Sequence, residues 1–161
     1  MTARPLAVID LDGVVADVRH RLHHIEGGDR DWASFFAGIP DDPLLAEGAA
    51  VAERLAADHD VLYLTGRPER SRADTEQWLA RHGLPRGELV MRRDRDRRPA
   101  RVTKIALLDR FVAAGRVVGV VVDDDPKVCA AMRNRGWPVL VADWMARSDT
   151  LDQAQEDLGA T

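Results

Sequence analysis

Five short apolar runs recur along the chain, at 6–11 (LAVIDL), 61–64 (VLYL), 88–91 (ELVM), 117–122 (VVGVVV) and 138–142 (PVLVA). None alternates cleanly with polar residues, so each predicts a strand covered on both faces, as in a parallel sheet. Between them the apolar positions fall at helical spacing. The segment 44–58 carries Leu44, Val51 and Leu55, with Ala49 contributing weakly, and 69–82 carries Thr75, Trp78, Leu79 and His82. In the same way 102–114 carries Ile105, Leu108 and Phe111, and 126–135 carries Val128, Ala131 and Met132. Gly83, Gly115 and Gly136 each follow one of these segments, where a left-handed residue commonly ends a helix. The alternation predicts an α/β fold: a doubly wound, Rossmann-like parallel sheet of about five strands with helices on both faces, joined by right-handed crossovers.

Two segments depart from this pattern. Residues 18–42 fit no clean period and hold Trp32, Phe35 and Phe36 as their apolar material. A small cap-like cover over a site reads this way, and so does a loop folded onto the sheet edge. From Ser148 to Thr161 the chain turns polar, as a short helix or a partly disordered tail.

With 161 residues, 45% of them hydrophobic, the expectation is one domain with a continuous core. The single cysteine, Cys129, cannot close an internal disulfide. No run reads as a secretory signal or a membrane span, which leads to the expectation of a reducing cytoplasm and no membrane partner. A formal net charge of -4 argues against bulk attraction to nucleic acid. The stretch RRDRDRRPAR at 92–101 nevertheless sets six arginines against two aspartates, leaving -8 for the rest of the chain.

In an open parallel sheet, ligands bind beyond the carboxyl ends of the strands, near the point where strand order reverses. The polar residues at those ends are Asp10 and Asp12 after the first strand, Thr65, Gly66 and Arg67 after the second, and Asp123, Asp124 and Asp125 after the fourth. Lys104 lies near the start of the helix that precedes the fourth strand. Carboxylates converging at one rim repel each other and take up protons unless a cation joins them. Oxygen-only ligands select a hard ion, and a few carboxylates with a substrate phosphate suit Mg²⁺. Taken singly, each residue is also a plausible cap, and Asp125 reads as the N-cap of the helix at 126. Capping, however, requires no particular order across three strand exits.

DLDGVVAD, LTGRPE, a lone lysine and VVVDDD, in this order over residues 6–142, resemble the four motifs of the haloacid dehalogenase superfamily, most of whose members are phosphohydrolases with an aspartyl nucleophile. The resemblance implies that Asp10 attacks phosphorus and that Asp12 protonates the leaving oxygen and later activates water. Elementary chemistry fits these roles. A carboxylate nucleophile needs no base, and alternation along a strand returns Asp12 to the face of Asp10. Gly13 allows a tight turn, Thr65 can donate to a phosphoryl oxygen, and Lys104 can neutralise charge. The expected metal ligands are Asp10, Asp12, Asp123 and Asp124.

Within that superfamily LTGRPERSRADTEQWLARHGLP, LVMRRD and the basic loop before VTK are similar to the phosphatase domain of bacterial and phage polynucleotide kinases. The similarity implies removal of a 3'-phosphate from a DNA or RNA end or a nucleotide, with Arg21 and Arg67 engaging substrate phosphate. Gly66, Arg92 and Arg93 join them as candidate substrate contacts, since the arginine loop leaves the third strand at the same rim and a guanidinium binds phosphate bidentately. Where relatives carry an acidic residue before V-x-K, this chain has Pro99, Ala100 and Arg101, and it contains no GxxxxGK[ST] loop, so the resemblance implies a phosphatase without a kinase half. His20, His23 and His24 match no metal-ligand spacing. A 5'-nucleotidase or small-metabolite phosphatase, and a catalytically silent nucleotide-binding regulatory protein, are the alternatives. Monomer and homodimer are both compatible with the sequence.

Overall fold

The computed structural model describes residues 2–161, and its order of elements follows the apolar pattern closely. Five strands, β1 (Leu6–Ile9), β2 (Asp60–Pro68), β3 (Gly87–Arg92), β4 (Val118–Asp123) and β5 (Val139–Val141), form one all-parallel sheet in the order β3-β2-β1-β4-β5. The helices are α1 (Trp32–Ala37), α2 (Ala46–Ala56), α3 (Arg72–Arg81), α4 (Ala100–Ala113), α5 (Pro126–Asn134) and α6 (Asp149–Leu158).

Alternate residues of β1 and β2 feed opposite faces of the sheet. Ala7, Ile9, Val61 and Tyr63 pack with Val51 and Ala52 of α2 and Trp78 of α3. Leu6, Val8, Leu62 and Leu64 pack with Leu108 of α4 and Val128 and Met132 of α5. Both faces are therefore covered, which is why the strands read as unbroken apolar runs. Gly83, Gly115 and Gly136 have φ of +64°, +89° and +81°, the left-handed helix-ending geometry expected of them.

The insertion and the tail resolve together. A 3₁₀ segment (Arg19–Ile25), α1 and a second 3₁₀ turn (Ile39–Asp41) contribute Leu22, Ile25, Phe35, Phe36 and Ile39 to a third apolar cluster. Leu151, Ala154 and Ala160 complete that cluster. The polar tail is thus an amphipathic helix seated on the insertion, capped by Ser148, whose hydroxyl accepts from the Leu151 amide. The insertion and α6 therefore pack as one apolar unit beside the sheet. Among the described residues no helix is long and apolar enough to cross a membrane.

Candidate active site

Strand order reverses between β1 and β4, and the loops leaving these two strands meet there. Asp10, Asp123 and Asp124 each bring one carboxylate oxygen within 4.8 Å of the others, and all three side chains are buried. Lys104, one turn into α4, places Nζ 2.7 Å from Asp123 Oδ2 and 3.1 Å from Asp10 Oδ1. Gly13 has φ +81°, and a Cβ there would fall 2.3 Å from Asp124 Oδ2, so the glycine serves both the turn and the close approach of that carboxylate.

Three acids around one lysine leave the cluster short of positive charge. Burial, with the nearby charges of Asp123 and Asp12 adding to it against Lys104, pushes Asp10 up from 3.8 to about 7. Burial likewise raises Asp124 well above the usual carboxylate range, with Asp10 and Asp123 reinforcing the shift. For Lys104 burial acts in the opposite direction but is outweighed by Asp10 and Asp123, which hold the ammonium charged. Asp10 Oδ2 and Asp124 Oδ1 lack a partner among the described residues, and Asp10 Oδ1 has only the Lys104 ammonium beside it. Buried, unsatisfied carboxylate oxygens facing one point are the donor set of a hard divalent cation, and the residues fit Mg²⁺. Without such an ion Asp10 is only partly ionised near neutral pH. Desolvation is the reason, and a bound cation would restore the carboxylate.

Asp12 does not join this group. Strand β1 ends at Ile9, and the backbone turns so that the amides of Val14, Val15 and Ala16 all donate to the Leu11 carbonyl. The alternation invoked for Asp10 and Asp12 therefore does not apply. Asp12 Oδ1 instead accepts from Arg67 Nη2 at 2.5 Å, Arg67 Nε at 3.0 Å and Arg21 Nη2 at 3.1 Å. Burial alone would raise this carboxyl, yet Arg67 and then Arg21 outweigh it and hold it below its ordinary value. Its Oδ2 has no partner among the described residues and is the oxygen free to exchange a proton.

Arg21 and Arg67, expected to engage substrate phosphate, are thus occupied by carboxylates in this structure, and both are essentially inaccessible to solvent. Their second counter-charge is Asp42, which nothing in the sequence singled out. Asp42 accepts from Arg21 Nε (2.7 Å) and Nη2 (3.0 Å), from Arg67 Nη2 (2.8 Å), and contacts His20 Nε2 (2.7 Å). Its backbone carbonyl accepts from Trp78 Nε1 at 2.8 Å. Two aspartates and two arginines so form a neutral buried square joining the insertion to the exits of β1 and β2. The only hint available beforehand was that two buried arginines need two acids.

Thr65 is buried beside the cluster, its hydroxyl accepting from the Arg67 amide at 3.1 Å rather than capping α3. Arg92 is buried with Nε on the Gly66 carbonyl (2.8 Å) and Nη1 on the Asp96 carbonyl (2.6 Å), so it shapes the arginine loop, whereas Arg93 is exposed. Asp125 is the N-cap of α5, accepting from the Lys127 amide. Gly66 leaves no room for a side chain, because a Cβ would lie 2.3 Å from the Thr161 carbonyl oxygen. Arg147 is a second unforeseen member. It binds Asp124, Asp152 and Gln155, tying α6 to the acidic cluster. Asp10, Asp12, Thr65, Lys104, Asp123 and Asp124 are each no more than 2% exposed.

The chain matches the family model described as the polynucleotide kinase PNKP phosphatase domain over residues 5–143. Among solved structures it is similar to chains of the Pnkp1/Rnl/Hen1 complex, with 25% identity and TM-score 0.69 over 88% of this chain and 47% of the other. A chain of the Pnkp1/Rnl/Hen1 RNA repair complex gives 26% identity, TM-score 0.70 and coverages of 88% and 43%. The chain therefore spans less than half the length of these relatives. A haloacid dehalogenase-like hydrolase from Streptococcus pneumoniae shares the fold at TM-score 0.63 and 14% identity, over 98% of this chain and 93% of that one. No curated protein matches. With six-sevenths of the chain under one family model and the acidic cluster at the fold's switch point, the chain belongs to the family of polynucleotide kinase PNKP phosphatase domains.

Proposed function

We propose that the protein is a Mg²⁺-dependent phosphomonoesterase that removes 3'-phosphate from DNA or RNA ends. The observation that carries this reading is the buried meeting of Asp10, Asp123 and Asp124 with Lys104, where Asp10 Oδ2 and Asp124 Oδ1 lack partners among the described residues. Asp10, Asp123 and Asp124 would hold the ion, which when bound lowers the proton affinity of the carboxylates and neutralises phosphate charge.

Asp10 attacks phosphorus, the ester P–O bond breaks, and the leaving oxygen takes a proton from Asp12 Oδ2. Asp12 starts ionised between its two arginines, and an arriving phosphate dianion raises its proton affinity by like-charge repulsion, so that Asp12 Oδ2 takes up one proton from solvent as the substrate enters and then gives it to the leaving oxygen. In the second half Asp12 takes a proton from water. The resulting hydroxide attacks phosphorus and releases Asp10 and inorganic phosphate. Lys104 stays charged throughout and balances the nucleophile, and Thr65 can turn its hydroxyl toward a phosphoryl oxygen.

The preference for 3' ends is supported by the family match and by the similarity to chains of an RNA repair complex. The use of magnesium is in keeping with a fold relative crystallised with magnesium and inorganic phosphate. The test is turnover of 3'-phosphorylated and 5'-phosphorylated oligonucleotides and of mononucleotides, with Mg²⁺ and with chelator. The expected result is Mg²⁺-dependent release from 3' ends, lost by at least about a thousandfold in Asp10→Asn. Faster release from 5' ends or from mononucleotides would replace this reading with a nucleotidase or metabolite phosphatase.

A further inference from the structure

A recess of ≈ 140 Å³ opens between α1 and the arginine loop, beside the exit of β2. Its apolar wall is Trp32 and Phe36, whose rings stack at 6.0 Å and 24°. Leu158 and Ala160 add apolar lining from the C-terminal segment, and Arg70, Arg92 and Arg97 supply the positive side, with Asp94 the one acid among the lining residues. Arg70 stands over the Phe36 ring at 5.3 Å. Arg92 links the recess to the catalytic rim, because its Nε holds the carbonyl of Gly66, the residue after Thr65.

Three features constrain what fits. The volume is well under the several hundred Å³ of a typical metabolite pocket and suits a single flat ring system. One wall is aromatic, so the ring can stack. The surrounding charge is positive, with exposed guanidinium groups on Arg70 and Arg97, so the ring is attached to phosphate. This combination of a stacking face with cations tracking a backbone is how single-stranded nucleic acid is held without sequence readout. We propose that the recess binds one unpaired base of the strand whose terminal phosphate enters the site, stacked on Trp32 with Arg70 and Arg97 on the flanking phosphates. This inference rests on the nucleic-acid phosphatase reading above and adds a base-binding subsite that selects strands over mononucleotides. Every base has a flat face, so no base preference is expected.

The test compares a 3'-phosphorylated tetranucleotide with the same strand made abasic at its last two positions, in the full chain with Mg²⁺. The expected result is a kcat/KM about tenfold lower for the abasic strand, the size of effect that one base stacked on an aromatic ring contributes. Trp32→Leu should bring the intact strand down to the abasic value, and Arg97→Glu should weaken both strands and flatten the salt dependence. Equal turnover of intact and abasic strands by the unmodified protein overturns the proposal, whatever the variants do. The matching 3'-hydroxyl strands, followed by fluorescence anisotropy, decide the question separately from catalysis. If no 3' end is hydrolysed but the intact strand still binds about tenfold more tightly than the abasic one, the recess stands and the phosphatase reading fails. If 3' ends are hydrolysed with no such difference in binding or turnover, the reverse holds.

Discussion

Asp42 makes no contact with the proposed nucleophile, yet replacing it should be among the most damaging changes in the protein. It is buried with Arg21, Arg67 and Asp12, and the four charges cancel. Asp42→Asn keeps the side-chain shape but leaves one excess positive charge in a dry setting and turns an amide toward guanidinium donors. Breaking a buried ion pair from one side costs about 3–5 kcal/mol. A domain of this size has roughly 5–15 kcal/mol in all. At roughly 2–4 °C per kcal/mol the melting temperature should fall by about 10 °C. Urea denaturation followed by circular dichroism measures the loss as a lower midpoint at unchanged slope. The double variant Asp42→Asn/Arg21→Gln restores neutrality and should recover at least half of the deficit, a coupling of about 1–3 kcal/mol. The same substitution should act on chemistry, because both arginines then fall wholly on Asp12 and lower its proton affinity further. The alkaline limb of the kcat/KM profile, which falls as the proton donor loses its proton, should then move to lower pH. A melting temperature within about 2 °C of the parent, or a double variant whose loss is the simple sum of the singles, would refute the idea that these four residues act as one charge-balanced unit.

Other perturbations test the neighbouring features. In chelator, Asp10→Asn should be inactive but more stable by about 1–3 kcal/mol at pH 8, because it removes a desolvated charge whose one partner, Lys104, still has Asp123. The sign follows from linkage: an acid raised from 3.8 to about 7 in the folded state stabilises it fully below 3.8 and loses that contribution as pH rises through about 7, so the parent's stability should decline across this window and the variant's should not. Mg²⁺ at about 100 times its dissociation constant should add ~2.7 kcal/mol to the parent in thermal melts, and Asp124→Asn should lose most of that increment. Gly13→Ala should cost about 1–3 kcal/mol and most of the activity, since its Cβ lies 2.3 Å from Asp124 Oδ2 at a positive φ, whereas Gly28→Ala meets nothing within 4 Å and should be neutral in both assays.

Much of this molecule can be read from the chain because the signals are local. A strand buried on two faces has to be apolar throughout, and a helix ending in a left-handed residue favours glycine, so β1 to β5 and α2 to α5 fall within a few residues of where the pattern places them. The acidic cluster is legible for a related reason: Asp10, Asp123 and Asp124 sit at the ends of strands whose order fixes where they meet. The tail was harder, since α6 is polar on one face and its apolar residues Leu151 and Ala154 make sense only once the insertion supplies Phe35 and Phe36 to cover.

What the pattern does not reveal is how charges pair with partners distant along the chain. Arg21 and Arg67 carry the composition of phosphate ligands, and nothing near them in sequence indicates that Asp12 and Asp42 already satisfy their donors. Asp12 was grouped with Asp10 on the assumption that β1 continues for two more residues, but the turn begins at Asp10 and redirects the second aspartate into the arginine square. The separation has a chemical consequence. Asp10 lies among acids and is driven toward protonation until a cation arrives, while Asp12 lies among bases and is held ionised. Two carboxyl groups two residues apart thus receive opposite shifts, so the proposed roles require a bound cation to restore the charge of Asp10 and an arriving phosphate to raise the proton affinity of Asp12. Arg147, in the loop before α6 and held by Asp152 and Gln155 of that helix, joins this arrangement by clamping Asp124, so the segment farthest from the motifs helps set the charge of the metal-fitting cluster. The local motif marks which residues are present at the rim, and the long-range ion pairs determine which proton each of them holds.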